Sequence, residues 1–161
     1  MRTIKKIVVH CSATYQGVDV NAKEIDKWHR MDGFKAIGYH YVIRLNGEIE
    51  EGRREMEPGA HCRGHNGDSI GICYVGGLSD WSHKPKDTRT KAQKASLVKL
   101  IGELRDRYGK DLPVYGHNQL TCSRPRHDKT FNPMECKKNC MRCNYPKKAC
   151  PSFDVKKEFG N

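Results

Sequence analysis

The sequence predicts a single domain of the α/β class, with a central mixed β-sheet flanked by helices. Short β-branched runs alternate along the chain with two amphipathic helical segments. The dipeptide Asn46-Gly47 lies between two of the predicted strands and is a strong hairpin signal. The chain has 161 residues, which suits one domain of ordinary size. We therefore expect one domain over residues 1–161.

The predicted strands are short and bounded by turn residues. The first is apolar on both faces from Ile7 to Val9, which is typical of a central strand. A later run of the same kind stops at Gly76-Gly77. The predicted strands cover residues 4–12, 39–45, 48–51, 69–75 and 112–115.

Each of the two longer predicted helices begins with a capping box. Asn21 precedes Glu24 by three residues, and Thr90 precedes Gln93 by three residues. The first helix is predicted to end at Gly33. The second helix has an apolar stripe formed by Leu97, Leu100, Ile101, Leu104 and Tyr108. A short terminal helix is predicted over residues 153–159.

The charge of the chain favours contact with a polyanion but does not select one. Lys and Arg number 30 against 19 Asp and Glu, for a net charge of +11. Nucleic acid, an anionic membrane surface and an anionic cell wall all attract such a chain, and a well-solvated surface explains it equally well. No apolar run approaches the length of a membrane span, so we expect a soluble protein. The apolar N-terminal stretch is too short for a signal peptide, which predicts synthesis in the cytoplasm.

Two histidines and one cysteine are candidates for a metal site. His10 ends the first predicted strand, His117 follows the last one, and Cys150 precedes the terminal helix. Strand ends lie at the rim of a sheet, where sites are commonly built. Three protein ligands leave the fourth position of zinc open to water, which is the catalytic arrangement. Their spacing alone does not distinguish them from histidines on the surface or in the core.

Several motifs occur in an order that resembles the type 2 N-acetylmuramoyl-L-alanine amidases, a family of small phage lysozymes and animal peptidoglycan recognition proteins. The likeness is greatest to the phage lysozymes and covers about residues 4–120 and 146–160. The motifs are VVHCSAT (8–14), IGYHYVI (37–43), GAH (59–61), VGG (75–77), GH (116–117) and KACPSFD (148–154).

The resemblance implies a mixed sheet with a zinc cleft on one face, and it implies roles for particular residues. The implied ligands of a catalytic zinc are His10, His117 and Cys150. The implied catalytic pair beside the metal is Tyr39 and Lys148. The residues implied to line the substrate cleft are His61 and Asn66.

The function implied is hydrolysis of the amide bond between N-acetylmuramic acid and L-alanine. The partner is then peptidoglycan, with no obligate nucleic acid and no membrane span, and we expect a monomer. An endolysin and a wall-remodelling enzyme both fit. Since no signal peptide is predicted, the protein would reach the wall after lysis or by export.

Three further residues near these motifs receive structural interpretations. In a regular strand His40 would point to the opposite face from Tyr39, into the core or behind the site. His29 lies on the first predicted helix and is interpreted as structural. Cys11 follows a ligand candidate but points away from it, as a small buried residue.

Residues 121–147 depart from the family pattern. This basic insert carries Cys122, Cys136, Cys140 and Cys143. Four thiolates could close a structural zinc site, which would give a second zinc. One or two disulfides after release from the cell, or free thiols, are the alternatives.

Two other classes of function remain open from the sequence. A non-catalytic peptidoglycan-binding module would share the fold, but modules that lack activity generally lose the cysteine ligand, and Cys150 is present. A zinc-dependent nucleic-acid-binding protein would suit the charge and the cysteines. It would leave His10, Tyr39 and the motif around Cys150 without a role.

Overall fold

The structure of the protein, a computed structural model, describes residues 2–120 and 149–160. Its strands are β1 (Lys6–Cys11), β2 (Thr14–Tyr15), β3 (Tyr41–Ile43), β4 (Ile49–Glu51), β5 (Ser69–Tyr74), β6 (Gly77–Leu78) and β7 (Val114–Gly116). Its helices are α1 (Ala22–Met31), α2 (Lys91–Tyr108), α3 (His117–Leu120) and α4 (Val155–Phe159), with a 3-10 turn over Asn66–Asp68.

A five-stranded mixed sheet forms the centre, in the order β4-β3-β5-β1-β7. Strand β1 runs parallel to both of its neighbours, β5 and β7, and β3 runs parallel to β5. Strand β4 is antiparallel to β3. The turn that joins them contains Gly47 at a φ of +87°, a conformation that glycine adopts without strain. The predicted fold class and the predicted hairpin are confirmed.

Both capping boxes are present. In α1 the side chain of Asn21 accepts from the backbone N–H of Glu24 at 2.9 Å, and the Glu24 carboxylate accepts in return from the Asn21 N–H at 2.8 Å. In α2, Thr90 and Gln93 make the same pair of bonds. Each box satisfies two N–H groups that have no partner within the helix, and so fixes where the helix begins.

The sheet has one apolar face and one face that carries histidines, because side chains alternate along its strands. The face packed against α2 will be called the helix face. Its core consists of Ile7, Val9, Tyr41, Ile43, Ile70, Ile72 and Tyr74, packed with Leu97, Leu100, Ile101 and Leu104 of α2. The opposite face will be called the histidine face, since His10 projects from β1 on that side with 1% of its surface exposed.

Strand β3 is shorter than predicted, because helix α1 holds the preceding segment by its backbone. The carboxylate of Asp26 accepts from the Ile37 N–H at 2.7 Å, and Nδ1 of His29 accepts from the Gly38 N–H at 2.9 Å. Strand alternation therefore does not govern Tyr39 and His40. The short pair β2 and β6 was not predicted, since two-residue strands leave no periodic pattern.

The fold contains no candidate for a membrane span among the residues that the structure describes. None of the helices in this part of the chain is both long and apolar enough to cross a bilayer.

Candidate active site

Three side chains distant in sequence meet at one edge of the sheet. The ligand atoms of His10, His117 and Cys150 all lie within 4.8 Å of one another. His10 is near the C-terminal end of β1, and His117 is the first residue of α3, directly after β7. Since β1 and β7 are adjacent and parallel, their C-terminal ends meet at the same edge. The imidazole rings of His10 and His117 have centroids 4.5 Å apart.

Cys150 reaches this edge because the segment around it binds to the end of the sheet. Its Sγ accepts from the backbone N–H of Cys11 at 3.3 Å, and its carbonyl accepts from the Asn118 N–H at 2.8 Å. The Tyr74 hydroxyl donates to the carbonyl of Pro151 at 2.6 Å. These bonds hold the cysteine beside two strand ends that lie more than thirty residues away in sequence.

The segment that carries Cys150 is also held by Arg89, whose side chain is 2% exposed. The guanidinium carbon lies 3.3 Å from the centroid of the Phe153 ring, and the guanidinium makes two bonds of 2.8–3.0 Å to the Glu158 carboxylate. The stacking on the aromatic ring and the hydrogen bonds to the carboxylate offset the free-energy cost of burying the Arg89 charge. Sequence reasoning missed this anchor, since no local pattern marks an arginine that pairs with residues beyond the insert.

The donor set fits a zinc ion. A tetrahedral zinc with bonds of about 2.0–2.3 Å holds a nitrogen and a sulfur ligand about 3.6 Å apart. The distance between His10 Nδ1 and Cys150 Sγ is 3.9 Å. Two imidazoles and one thiol are borderline-soft ligands that suit zinc, and three ligands leave one position open.

The electrostatics of the centre tie metal binding to proton release. Contact with Cys11, and then burial, raises the pKa of the Cys150 thiol above its usual range. The thiol is thus protonated at neutral pH in the metal-free protein, and a metal would have to displace that proton.

Tyr39 lies against the metal-site candidates, with its ring centroid 5.1 Å from that of His10. The ring of His29 flanks it on another side, at 5.3 Å. Burial, and then the nearby thiol of Cys73, raises the pKa of Tyr39 well above its usual value. The phenol therefore keeps its proton at neutral pH and can act as a hydrogen-bond donor.

His61 lies against His10, and Asn66 binds the backbone of the loop that carries His61. The His61 ring is only 8% exposed, and its Nδ1 is 2.9 Å from Nε2 of His10. The side-chain oxygen of Asn66 accepts from the backbone N–H groups of His61 and Cys62, both at 2.9 Å. Asn66 thus shapes the loop that presents His61. The expected role of both residues in lining the substrate cleft stays a prediction.

His40 lies close to this group of histidines. Its ring centroid lies 5.7 Å from that of His61. Its Nδ1 accepts from the Gly71 N–H at 2.9 Å, and burial lowers its pKa to about 4. Its burial beside His61 agrees with the interpretation of His40 as a residue in the core or behind the site. The structural interpretation of His29 agrees with its bond to Gly38.

Several predicted residues lie outside the described residues. They are Lys148 of the implied catalytic pair and the four cysteines of the insert, Cys122, Cys136, Cys140 and Cys143.

Three residues that could hold a metal ion lie at the C-terminal edge of the strands in a mixed sheet, an arrangement that suits a metallohydrolase. The model of one family, described as N-acetylmuramoyl-L-alanine amidase, matches residues 1–133. The chain belongs to this family. It is a peptidoglycan amidase, which hydrolyses the amide bond between N-acetylmuramic acid and L-alanine.

Relatives of known name support this assignment. The endolysin of Enterobacteria phage T3 is 36% identical over 155 residues, which cover 96% of this chain and 85% of that protein. The endolysin of Escherichia phage T7 is 35% identical over 151 residues, covering 94% of this chain and 82% of that protein. Neither a non-catalytic module nor a nucleic-acid-binding protein is favoured by these matches.

Solved structures agree with the fold. The N-acetylmuramoyl-L-alanine amidase LysC from Clostridium intestinale superposes with a TM-score of 0.64 at 27% identity, over 74% of each chain. Drosophila peptidoglycan recognition protein SD has the same fold, with a TM-score of 0.64 at 21% identity over 76% of this chain and 74% of that one.

Proposed function

We propose that this amidase works with one catalytic zinc held by His10, His117 and Cys150, and that residues 1–161 form a single amidase domain acting as a monomer. The observation that carries the proposal is the convergence of these three ligand atoms within 4.8 Å. When bound, zinc would supply a Lewis acid and an activated water at neutral pH. The reaction consumes one water, breaks the carbonyl carbon–nitrogen bond, and releases the lactyl carboxylate and the amino group of L-alanine.

In this proposal Tyr39 serves the reaction as a neutral hydrogen-bond donor. Its raised pKa keeps the phenol protonated, so it can donate to the oxygen that becomes negative in the tetrahedral intermediate, or hold the attacking water. The ring contact with His10 keeps the phenol beside the centre.

Lys148 is proposed as a second donor, on the basis of the family motif KACPSFD. It precedes Cys150 by two residues, and its ammonium would add positive charge where the oxyanion develops. His61 and Asn66 are proposed to contribute to the cleft that binds the substrate.

The cysteines of the insert are proposed to hold a second, structural zinc. Metal content tests it directly, since the purified protein should then carry two zinc ions per chain. A single zinc, together with a mass lower by two protons for each pair of cysteines under non-reducing conditions, would instead identify disulfides.

We further propose that the protein acts on the cell wall after release from the cell in which it is made. The support is its similarity to phage endolysins over most of its length. Wall clearing by protein added from outside to permeabilised cells is the matching assay.

Metal removal and product analysis test the proposed chemistry. Chelation should abolish hydrolysis of purified peptidoglycan, and added zinc should restore it. New amino groups of L-alanine should appear without new reducing sugar ends. His83 is an exposed histidine bound to the Tyr15 hydroxyl, so His83→Ala is a matched control for His117→Ala. Full activity of a metal-free preparation, or of His117→Ala, would refute the zinc mechanism.

A further inference from the structure

His10 has a second buried neighbour on the side away from the other ligand candidates. Its Nδ1 faces Cys150 Sγ at 3.9 Å, whereas its Nε2 lies 2.9 Å from Nδ1 of His61. The two nitrogens of the His10 ring therefore have different partners. Whichever proton arrangement His61 adopts decides which nitrogen of His10 keeps a lone pair for a metal.

The proton on His61 can be assigned from Ser69. The hydroxyl of Ser69 donates its single proton to the carbonyl of His65 at 2.7 Å, because a carbonyl can only accept. The contact of 3.3 Å between Ser69 Oγ and His61 Nε2 must then be donated by the ring. A neutral His61 therefore carries its proton on Nε2 and presents a bare Nδ1 to His10.

The donor and acceptor in the hydrogen bond between His61 and His10 follow from this assignment. Since Nδ1 of His61 is an acceptor, Nε2 of His10 is the donor in their 2.9 Å bond. Nδ1 of His10 then holds a lone pair, and it lies 3.9 Å from Sγ of Cys150.

The packing around His61 leaves its ring little room to turn. A Cβ on Gly59 would come within 2.4 Å of the ring, and a Cβ on Gly71 within 2.5 Å. Both glycines therefore let the backbone approach the ring more closely than any other residue would allow. Asn66 holds the backbone of His61 from the same loop.

We propose that His61 and Ser69 are positioning residues that set the tautomer of His10, so that its Nδ1 is the nitrogen that binds the metal. The proposal rests on the proposed function, since it assigns His10 as a ligand. Histidine ligands usually donate their second N–H to a carboxylate or a backbone carbonyl. Here that acceptor is a neutral imidazole whose own proton is fixed by a serine.

The first measurement is the tautomer of His10 in the metal-free protein, read by long-range proton–nitrogen NMR correlations of the imidazole rings. We expect the proton on Nε2 in the wild type. His61→Asn should preserve this state, because its side-chain oxygen can replace Nδ1 as the acceptor. His61→Leu removes the acceptor, so a mixture of tautomers should appear. A wild-type His10 protonated on Nδ1 would overturn the proposal.

The second measurement is zinc affinity, by competition with a chromophoric chelator. His61→Leu should weaken binding by about 10–100-fold, the usual cost of losing such an acceptor. His61→Asn should recover most of the affinity, and Ser69→Ala should lower it by a smaller factor. The control is His40→Gln, since His40 is also buried and touches His61, but its hydrogen bonds are to Gly71, Glu57 and Arg2. An equal loss in this control would mean that general loosening, not the tautomer, weakens binding.

The two readouts separate this inference from the proposed function. If wild-type protein bound no zinc while His10 carried its proton on Nε2 and lost that preference in His61→Leu, the zinc mechanism would fail and the tautomer assignment would stand. If zinc bound tightly and His61→Leu changed neither the tautomer nor the affinity, the assignment would fail and the zinc mechanism would stand.

Discussion

On the helix face of the sheet, alternate residues of β1 and β5 pack aliphatic and aromatic side chains against α2. On the histidine face, His10 of β1 lies against three other rings. Its ring centroid is 4.5–5.1 Å from those of His61, Tyr39 and His117. The same strands serve both faces, so one step along β1 exchanges a packing residue for a metal-ligand candidate. Burial therefore does not distinguish the two roles, since Val9 and His10 are 0% and 1% exposed.

Substitutions on the two faces should therefore have different effects on the protein. Loss of an apolar group on the helix face costs packing and transfer free energy, which lowers stability throughout the domain. Loss of a polar group on the histidine face removes a donor, an acceptor or a ligand at one place. The substitutions below test this separation.

The largest expected difference is between His10→Ala and Val9→Ala. His10→Ala should reduce amidase activity below detection, because it removes a proposed zinc ligand, while the protein stays folded. Val9→Ala should lower the free energy of unfolding by about 1–3 kcal/mol and leave kcat unchanged for the folded fraction. Denaturant unfolding and hydrolysis of purified peptidoglycan check both. An inactive but stable Val9→Ala protein would contradict the separation.

Tyr39→Phe and Tyr41→Phe make a finer comparison, since each removes one hydroxyl. Tyr39→Phe should slow turnover by about 10²–10³ with zinc content unchanged, because a donor to the developing oxyanion is lost. The Tyr41 hydroxyl instead donates to the Glu55 carboxylate on the other face. Tyr41→Phe should cost about 1 kcal/mol of stability and no activity. Equal rates for the wild type and Tyr39→Phe would remove Tyr39 from the mechanism.

Acid should lower the free energy of unfolding through buried histidines on the histidine face. Burial, and then the charge of Arg2, keeps the pKa of His40 at about 4, against about 6.5 in the unfolded chain. Arg53 also lowers this pKa and Glu55 opposes it. Between these two values the unfolded state therefore binds more protons than the folded state. The contribution of His40 to the free energy of unfolding is complete above about pH 6.5 and decreases as the pH falls toward 4. The loss from His40 should be on the order of 3 kcal/mol.

Denaturant unfolding of metal-free protein at several pH values measures this loss. His40→Gln should reduce the slope of stability against pH between 4 and 6.5. Part of the slope should remain, because burial also lowers the pKa of His61 well below its usual value. An unchanged slope in His40→Gln would show that His40 is not held neutral in the folded state.

The smallest effect on activity, none at all, is expected for a polar residue on the helix face. Gln93 is fully buried, and its side-chain amide donates to the carbonyls of Ile43 at 3.1 Å and Val75 at 2.9 Å. Gln93→Ala should cost about 1–3 kcal/mol, because it leaves buried carbonyls without these donors and breaks the capping box of α2. Activity of the folded protein should not change. A loss of activity at full stability would show that the two faces are coupled.

The sequence predicted most of the fold because its local signals agree with the tertiary structure. The capping boxes at Asn21 and Thr90 mark helix starts that the structure confirms, and the Asn46-Gly47 turn marks the hairpin. The site was predicted less completely. The motifs pointed to His10, His117 and Cys150, but no pattern in the chain indicates that His61 lies against His10 or that Arg89 anchors the segment around Cys150.

The sequence by itself determined the alternation of β1, the two capped helices and the motifs of the amidase family, because these depend on neighbours within a few residues along the chain. Only the tertiary structure decided which histidines meet, since His10, His61 and Cys150 come from separate elements joined by parallel pairing and side-chain packing. It also decided the direction of the hydrogen bonds from Ser69 to His10. A tautomer depends on the partners of both ring nitrogens, and those partners are known only once the loop of His61 is folded against β1 and β5.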